Sequence, residues 1–542
     1  MPPLRPRPSG EAVLFWTLLA LHLLLIWSFP FFPSQDGPAH QALSMVLREY
    51  GRPGAGLLRE YFLINREALP NGFIFFLMSK VLAFVSVPVA EKLLITAYVL
   101  LLPLSARYAV RAIDPRSLFL SVLAFPFVYN FLFHMGFFNF CFSLPAFLLT
   151  VGWWLRRPEG MGLPRIAGLA LLILWVYFCH PVTLVVVLTV LFTLAGWRVI
   201  LDLRSGARGF RASVLRWLPG LIAAALPALI LMISFLGRRT GSEIRMMGML
   251  PKVRHLAGLY SLASLSHLTT GLGILLALLF FATALICLRA RRGAPGLSPA
   301  DGLLLTVAVL TVAYFAAPSD LAGGGFINHR LNLFPFLTLI LWFATFEHPP
   351  GRRRAIQIAA SAIAAGFLAA FAPVYARVNA NLKEIVAAGE RVEPGHTFLF
   401  LSYVPKGEDE DPEVAVFRTR PYVHAGGYIA TRRTLADLSL YEANENYFPI
   451  YYRPELNPFL HLATVYLGIE TFPPQVDLLG YPRRTGGTVD YVMLWDLKEN
   501  RLGDPKARAV LEQLAAGYRE IPVPGDGKVR LFRANGVLPA AR

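Results

Sequence analysis

Charge and cysteine are what this 542-residue chain has little of. Only 16% of its residues are charged, against roughly a quarter in an ordinary soluble domain. That shortage excludes a cytosolic enzyme. Hydrophobic residues at 55% exclude a disordered chain. The three cysteines, Cys141, Cys179 and Cys287, all lie in apolar segments, so no disulfide framework is available. No CxxC, HExxH or EF-hand pattern is found, so no metal signature is specific. Internal repeats and low-complexity tracts are absent too.

What the chain has instead is apolar length. Phe occurs 40 times and the mean hydropathy is +0.52. Runs of about 20 apolar residues, enough to cross a bilayer, recur from Ala12 to Phe371. They predict eleven spans: 12–32, 89–106, 117–133, 137–155, 165–180, 181–198, 217–236, 271–288, 302–317, 329–346 and 355–373. The stretch 165–198 divides at His180-Pro181, because proline cannot continue a helical hydrogen-bond ladder. The first span follows Arg5 and Arg7 without a small-residue cleavage site and reads as a retained anchor. Residues 72–87 are apolar but short, with Lys80 in the middle, and read as a re-entrant or interfacial helix.

The net charge of +17 is explained by position. If 72–87 does not cross and the N-terminus is cytoplasmic, the inner loops hold 19 basic residues against six acidic ones. Every inner loop then obeys the positive-inside rule. The tail 375–542 balances 20 basic with 21 acidic residues, which removes any electrostatic footprint for nucleic acid. The sequence thus predicts a polytopic α-helical membrane protein of about eleven spans plus a re-entrant or interfacial helix. Residues 1–374 form the membrane domain, with a long first outer loop at 33–88. Residues 375–542 form an α/β extracytoplasmic domain, with β-like runs at 396–404, 488–495 and 528–533 and a helix over 504–517.

With this threading the chemistry-bearing residues collect on the outer face. Ionisable groups at membrane depth are expensive and tend to mark function. The first outer loop opens Ser-Gln-Asp-Gly-Pro-Ala-His, with Asp36 and His40 four apart if a helix starts near Gly37. Asp36 reads either as a general base at the lip of the bilayer or as a helix N-cap. The aromatic run 125–145 turns at His134-Met135-Gly136 and includes Asn139; it lines a groove or simply packs at the interface. The loop 318–330 carries three glycines and then Asn328, His329 and Arg330. Backbone N–H groups and a guanidinium at a helix start suit a phosphate; a plain flexible turn fits the glycines equally. Arg238 and Arg239 are candidates for the same phosphate. No cofactor is called for. A divalent cation is left open, with Asp36, Glu243 and Asp320 as its candidate carboxylates.

Many spans, a long first outer loop with an acidic residue directly after the first span (Asp36 in SQDGPAH), and an outer C-terminal domain resemble the GT-C superfamily of polyprenyl-phosphate-sugar-dependent glycosyltransferases, such as protein O-mannosyltransferases and lipid A aminoarabinose transferases. The resemblance implies a bacterial inner-membrane enzyme with a periplasmic active site, a lipid-linked sugar donor and an acceptor that the sequence does not identify. It makes Asp36 catalytic, with His40 in support. Arg330, His329, Asn328, Arg238, Arg239, His134 and Asn139 become candidates for binding donor and phosphate. The chain departs from many members in having Gln35, not a second acid, before Asp36, and it has no WWDYG-like motif. Two rivals remain: a multi-pass transporter or flippase, which usually shows repeated halves, and a non-catalytic assembly subunit.

Overall fold

The computed structural model describes residues 10–156, 161–238, 244–293, 296–321, 324–405 and 413–536. Among them, nine helices are long and apolar enough to cross a membrane. Two further segments predicted to span, 165–180 and 329–346, form the 17-residue helices Leu163–Cys179 and Ile327–Phe343. The second opens with Ile-Asn-His-Arg-Leu-Asn, so less of its length is apolar. The ambiguous 72–87 segment contains a nine-residue helix, Phe73–Val81, too short to cross.

The chain forms two compact units. One comprises Met1–Ile26, Ile95–Phe133 and Phe138–Phe371; the other comprises Trp27–Leu94, His134–Phe137 and Ala372–Arg542. The second unit thus joins the loop 33–88 to the C-terminal segment.

Within the first unit the spans differ in what surrounds them. Pro115–Met135 is 94% buried, whereas Phe210–Leu236 is only 22% buried. The outward side chains of the latter include Ile222, Leu226, Ile230 and Ile233. An apolar surface of that extent needs an apolar solvent, which the bilayer supplies. The break at His180-Pro181 is a true boundary: one helix ends at Cys179 and the next starts at Pro181. The His180 ring caps the second by accepting from Val182 N at 3.2 Å.

Two sets of loops interlock in this unit. Glu11 pairs with Arg107, Asp114 and Glu347 with Arg116, Asp202 with Arg208, and Asp301 with Arg291. All belong to the loops read as facing inward. Arg245 pairs through its backbone with Ser319 and Asp320, and Lys252 donates to the Phe315 and Ala317 carbonyls at 2.8 and 2.7 Å. Those ties join loops read as facing outward.

In the second unit a mixed five-stranded sheet has the order β3-β2-β5-β7-β6. Here β2 is Thr397–Ser402, β3 Ala436–Asp437, β5 Tyr491–Trp495, β6 Tyr518–Ile521 and β7 Val529–Ala534. β2 and β5 are parallel and buried along their whole length, as a central strand covered on both faces should be. The predicted 504–517 helix is Pro505–Gly517, with the Asp504 carboxylate capping Lys506 N at 2.8 Å. The loop 33–88 adds a short antiparallel pair, β1 (Phe62–Ile64) with β4 (Ile450–Tyr452). Its helix Gly37–Glu49 packs on Gly426–Arg433. That approach is close enough that a Cβ on Gly427 would sit 2.2 Å from the Pro38 carbonyl oxygen.

Candidate active site

Asp36 sits at the N-cap position of Gly37–Glu49, but its carboxylate makes no capping bond. The capping alternative is therefore set aside, and the side chain is spent elsewhere. The backbone is pinned from the opposite direction: Gln35 N donates to His134 O at 2.9 Å and Asp36 N to Met135 O at 3.1 Å. That turn continues through Gly136 at φ +89°, where a Cβ would lie 2.9 Å from Asp36 N. Only glycine tolerates both the conformation and the approach.

The carboxylate receives one donor per oxygen. Gln35 Nε2 donates to Oδ1 at 3.1 Å, and the Tyr441 hydroxyl donates to Oδ2 at 3.1 Å. His424 Nε2 lies 3.8 Å from Oδ1, and its ring stacks on Tyr441 at 4.8 Å. Arg420 N donates to Gln35 Oε1 at 3.0 Å, which fixes the amide that faces Asp36. His40 lies one turn along, with Nε2 3.4 Å from Glu442 and its ring edge on Phe75.

Asp36, His40, His424 and Glu442 are buried, while Gln35, Arg420 and Tyr441 are half-buried. Burial pushes the Asp36 carboxyl up to about 7, with the Gln35 and Tyr441 bonds pulling the other way. Burial brings both His40 and His424 down to about 3, so both rings are neutral at pH 7. Burial, then the nearby Asp36 charge, holds Glu442 well above the usual carboxylate range. The His40–Glu442 contact thus holds a neutral ring at neutral pH against a carboxyl whose ionisation burial disfavours. Asp36 is the member poised to exchange a proton near neutrality.

His134 adds structure to this site beyond its carbonyl. Its ring stacks on Phe32 and its Nε2 lies 2.9 Å from the Tyr375 hydroxyl.

Of the other residues predicted to bind donor and phosphate, those described belong to the first unit, whereas His134 lies in the second. Arg330 is buried, donates to the Gly325 carbonyl and lies over the Phe140 ring at 5.8 Å. His329 packs among Phe131, Phe326 and His255 at centroid distances of 5.2–5.6 Å. Asn328 donates to the Tyr314 and Ala317 carbonyls, so it ties off the preceding helix. Asn139 is buried in Phe138–Leu155. Arg238 is exposed and donates to Ser234. Arg239 lies outside the described residues. The glycine loop differs from a phosphate cradle at one point: Gly324 N is used inside its own turn, donating to Leu321 O at 2.9 Å.

Among the described residues no group of three or more His, Cys, Asp or Glu is arranged to hold a metal ion. Glu243, one of the three carboxylates considered for a cation, lies outside them. Asp320 accepts from Ser319 Oγ at 2.7 Å.

Sequence reasoning missed Tyr441, His424 and Glu442. They come from the C-terminal segment, 405 residues from Asp36 in the case of Tyr441, and no periodicity links them to it.

No family model matches the chain, and no curated protein matches it in sequence. Solved structures do. ArnT from Cupriavidus metallidurans bound to undecaprenyl phosphate aligns over 98% of this chain and 100% of its own, with a TM-score of 0.51 at 12% identity. The apo form of the same protein aligns over 98% and 99%, with a TM-score of 0.48 at 12% identity. The chain therefore shares the fold of ArnT, with a small C-terminal sheet domain.

Proposed function

We propose that this protein is a membrane glycosyltransferase that moves a sugar from a polyprenyl-phosphate donor to a hydroxyl acceptor. The observation that carries the reading is Asp36: a buried carboxylate with a donor on each oxygen and a proton affinity matched to neutral pH. The likeness in fold to a protein crystallised with undecaprenyl phosphate favours a donor of that class.

In this reading Asp36 takes the proton from the acceptor hydroxyl as its oxygen attacks the anomeric carbon. The bond from that carbon to the phosphate oxygen breaks, and polyprenyl phosphate leaves with the electron pair. Phosphate is a good leaving group, so no strong acid is required. Arg330 offsets the charge that grows on the phosphate, with His329 beside it in sequence and Arg238 as a further cation. The site faces the periplasm of a bacterial inner membrane. The N-terminus is cytoplasmic, and residues 375–542 form a periplasmic domain that helps select the acceptor.

Two outcomes test this reading. A base that must be ionised gives a rate that rises with pH. Transfer measured as kcat/KM is expected to climb to a plateau with a midpoint near the Asp36 value of about 7. A flat profile from pH 5 to 9 in a chemistry-limited assay overturns the base assignment. Arg330→Ala is expected to lower transfer about 100-fold, with Arg330→Lys restoring part of it, because loss of a charge-stabilising donor costs on that order. Equal activity of the alanine variant and the parent removes Arg330 from the reaction.

A further inference from the structure

We infer that Tyr441, together with Gln35, is a positioning residue for Asp36, so that the C-terminal segment supplies half of the acid–base centre. This deepens the proposed function and rests on its assignment of Asp36 as the base.

The geometry leaves the phenol one role. Tyr441 opens the short 3-10 turn Tyr441–Asn444, and its backbone is held from behind. Leu440 N donates to the Tyr452 hydroxyl at 3.2 Å, and that hydroxyl donates to Asp437 O at 2.6 Å. The Tyr441 ring lies between His424, stacked at 4.8 Å, and Phe448, edge-on at 6.4 Å. With a ring on each side, the phenol is aimed so that its hydroxyl meets Asp36 Oδ2. Gln35 is held in the same way by Arg420 N and meets the other oxygen. Two fixed donors define the plane of the carboxylate and favour its ionised form.

The other groups around Asp36 do not do this. Glu442 follows Tyr441 in the same turn, is fully buried, and faces His40 at 3.4 Å. His424 approaches from the segment before Gly426–Arg433, with Arg420 on that same segment; His40 lies on Asp36's own helix. Glu470 acts on Glu442 and Tyr441. The Met135–Gly136 turn contributes backbone. Tyr441 and Gln35 are thus the side chains that donate to the two oxygens.

The test uses the full-length protein in detergent and dicyclohexylcarbodiimide, an apolar reagent that modifies protonated carboxyls. Labelling at Asp36, located by mass spectrometry, is followed against pH. The parent is expected to lose labelling with a midpoint near 7. Tyr441→Phe keeps the ring and both stacking contacts but removes the donor. Its midpoint is expected to move up by about one pH unit, the scale of one hydrogen bond to a charged group. A ring-fluorinated tyrosine at position 441, a stronger donor, is expected to move the midpoint down. A purely structural tyrosine would not give opposite shifts. Midpoints unchanged in both variants, or no labelling at Asp36 at any pH, overturn the inference. Sugar transfer by Asp36→Asn separates the two claims: activity retained there sinks the base assignment, whereas activity lost there with unmoved labelling midpoints sinks only the role of Tyr441.

Discussion

Asp36→Asn is expected to lower sugar transfer by about 100- to 10,000-fold, the range a positioned general base contributes, while leaving the protein folded. Asparagine matches the carboxylate in shape, and its carbonyl and amide can still meet Gln35 and Tyr441. It cannot take a proton from an attacking hydroxyl. Stability gives an independent check that the variant is sound, and its sign follows from burial. The folded-state value of about 7 stands above the ordinary 3.8. Protonated Asp36 therefore favours the fold fully below pH 3.8, and that contribution is lost as pH rises toward 7. The neutral asparagine does not titrate. The variant should match the parent's thermal midpoint at pH 4 and exceed it at pH 8. Parental transfer rates in a folded variant would remove Asp36 from the chemistry and leave it a buried structural carboxylate.

The second large effect is expected at Gly427. A Cβ there would lie 2.2 Å from Pro38 O, 2.4 Å from Pro38 C and 2.9 Å from Ala39 N. All three atoms are backbone, so no side-chain rotation relieves the clash. Gly427→Ala must push Gly426–Arg433 away from Gly37–Glu49, the helix that begins directly after Asp36. The cost is expected to be on the order of 3 kcal/mol, at the upper end for overpacking. Gly196→Ala is the matched control. Gly196 lies inside the helix Pro181–Arg204 with nothing within 4 Å of its Cβ position. Alanine there should stabilise by about 0.5–1 kcal/mol through helix propensity. Thermal midpoints of the two purified variants moving in opposite directions would bear out the close packing. A Gly427→Ala protein as stable as the parent would mean the two helices are not in contact as described. Because Pro38 is two residues from Asp36, transfer should fall in this variant even under conditions where it remains folded.

Several local features were legible because their causes lie within a few residues. The helix break at 180–181 follows from a proline after a histidine that can cap. The tight turn before Phe138–Leu155 follows from Gly136, and the Pro505–Gly517 helix from Asp504 ahead of a proline. The three β-like runs became β2, β5 and β7. The role of Asp36 was half legible. Its place before Gly-Pro suits a cap, and local reasoning cannot tell a capping carboxylate from one directed away. The choice was made by Gln35 and Tyr441. The glycine loop was half legible for a related reason: whether Gly324 N–H is free for an anion depends on the turn, and here the turn uses it.

The sequence by itself determined that this is a membrane chain, roughly where its helices run, and which acidic residue to suspect. Those properties depend on apolar length and on neighbours along the backbone, where transfer free energy and helix geometry act locally. The tertiary structure alone decided that Asp36 is desolvated and that a tyrosine far along the chain meets its oxygen. Burial and hydrogen-bond partners are set by which segments pack together in space, and no periodicity records that.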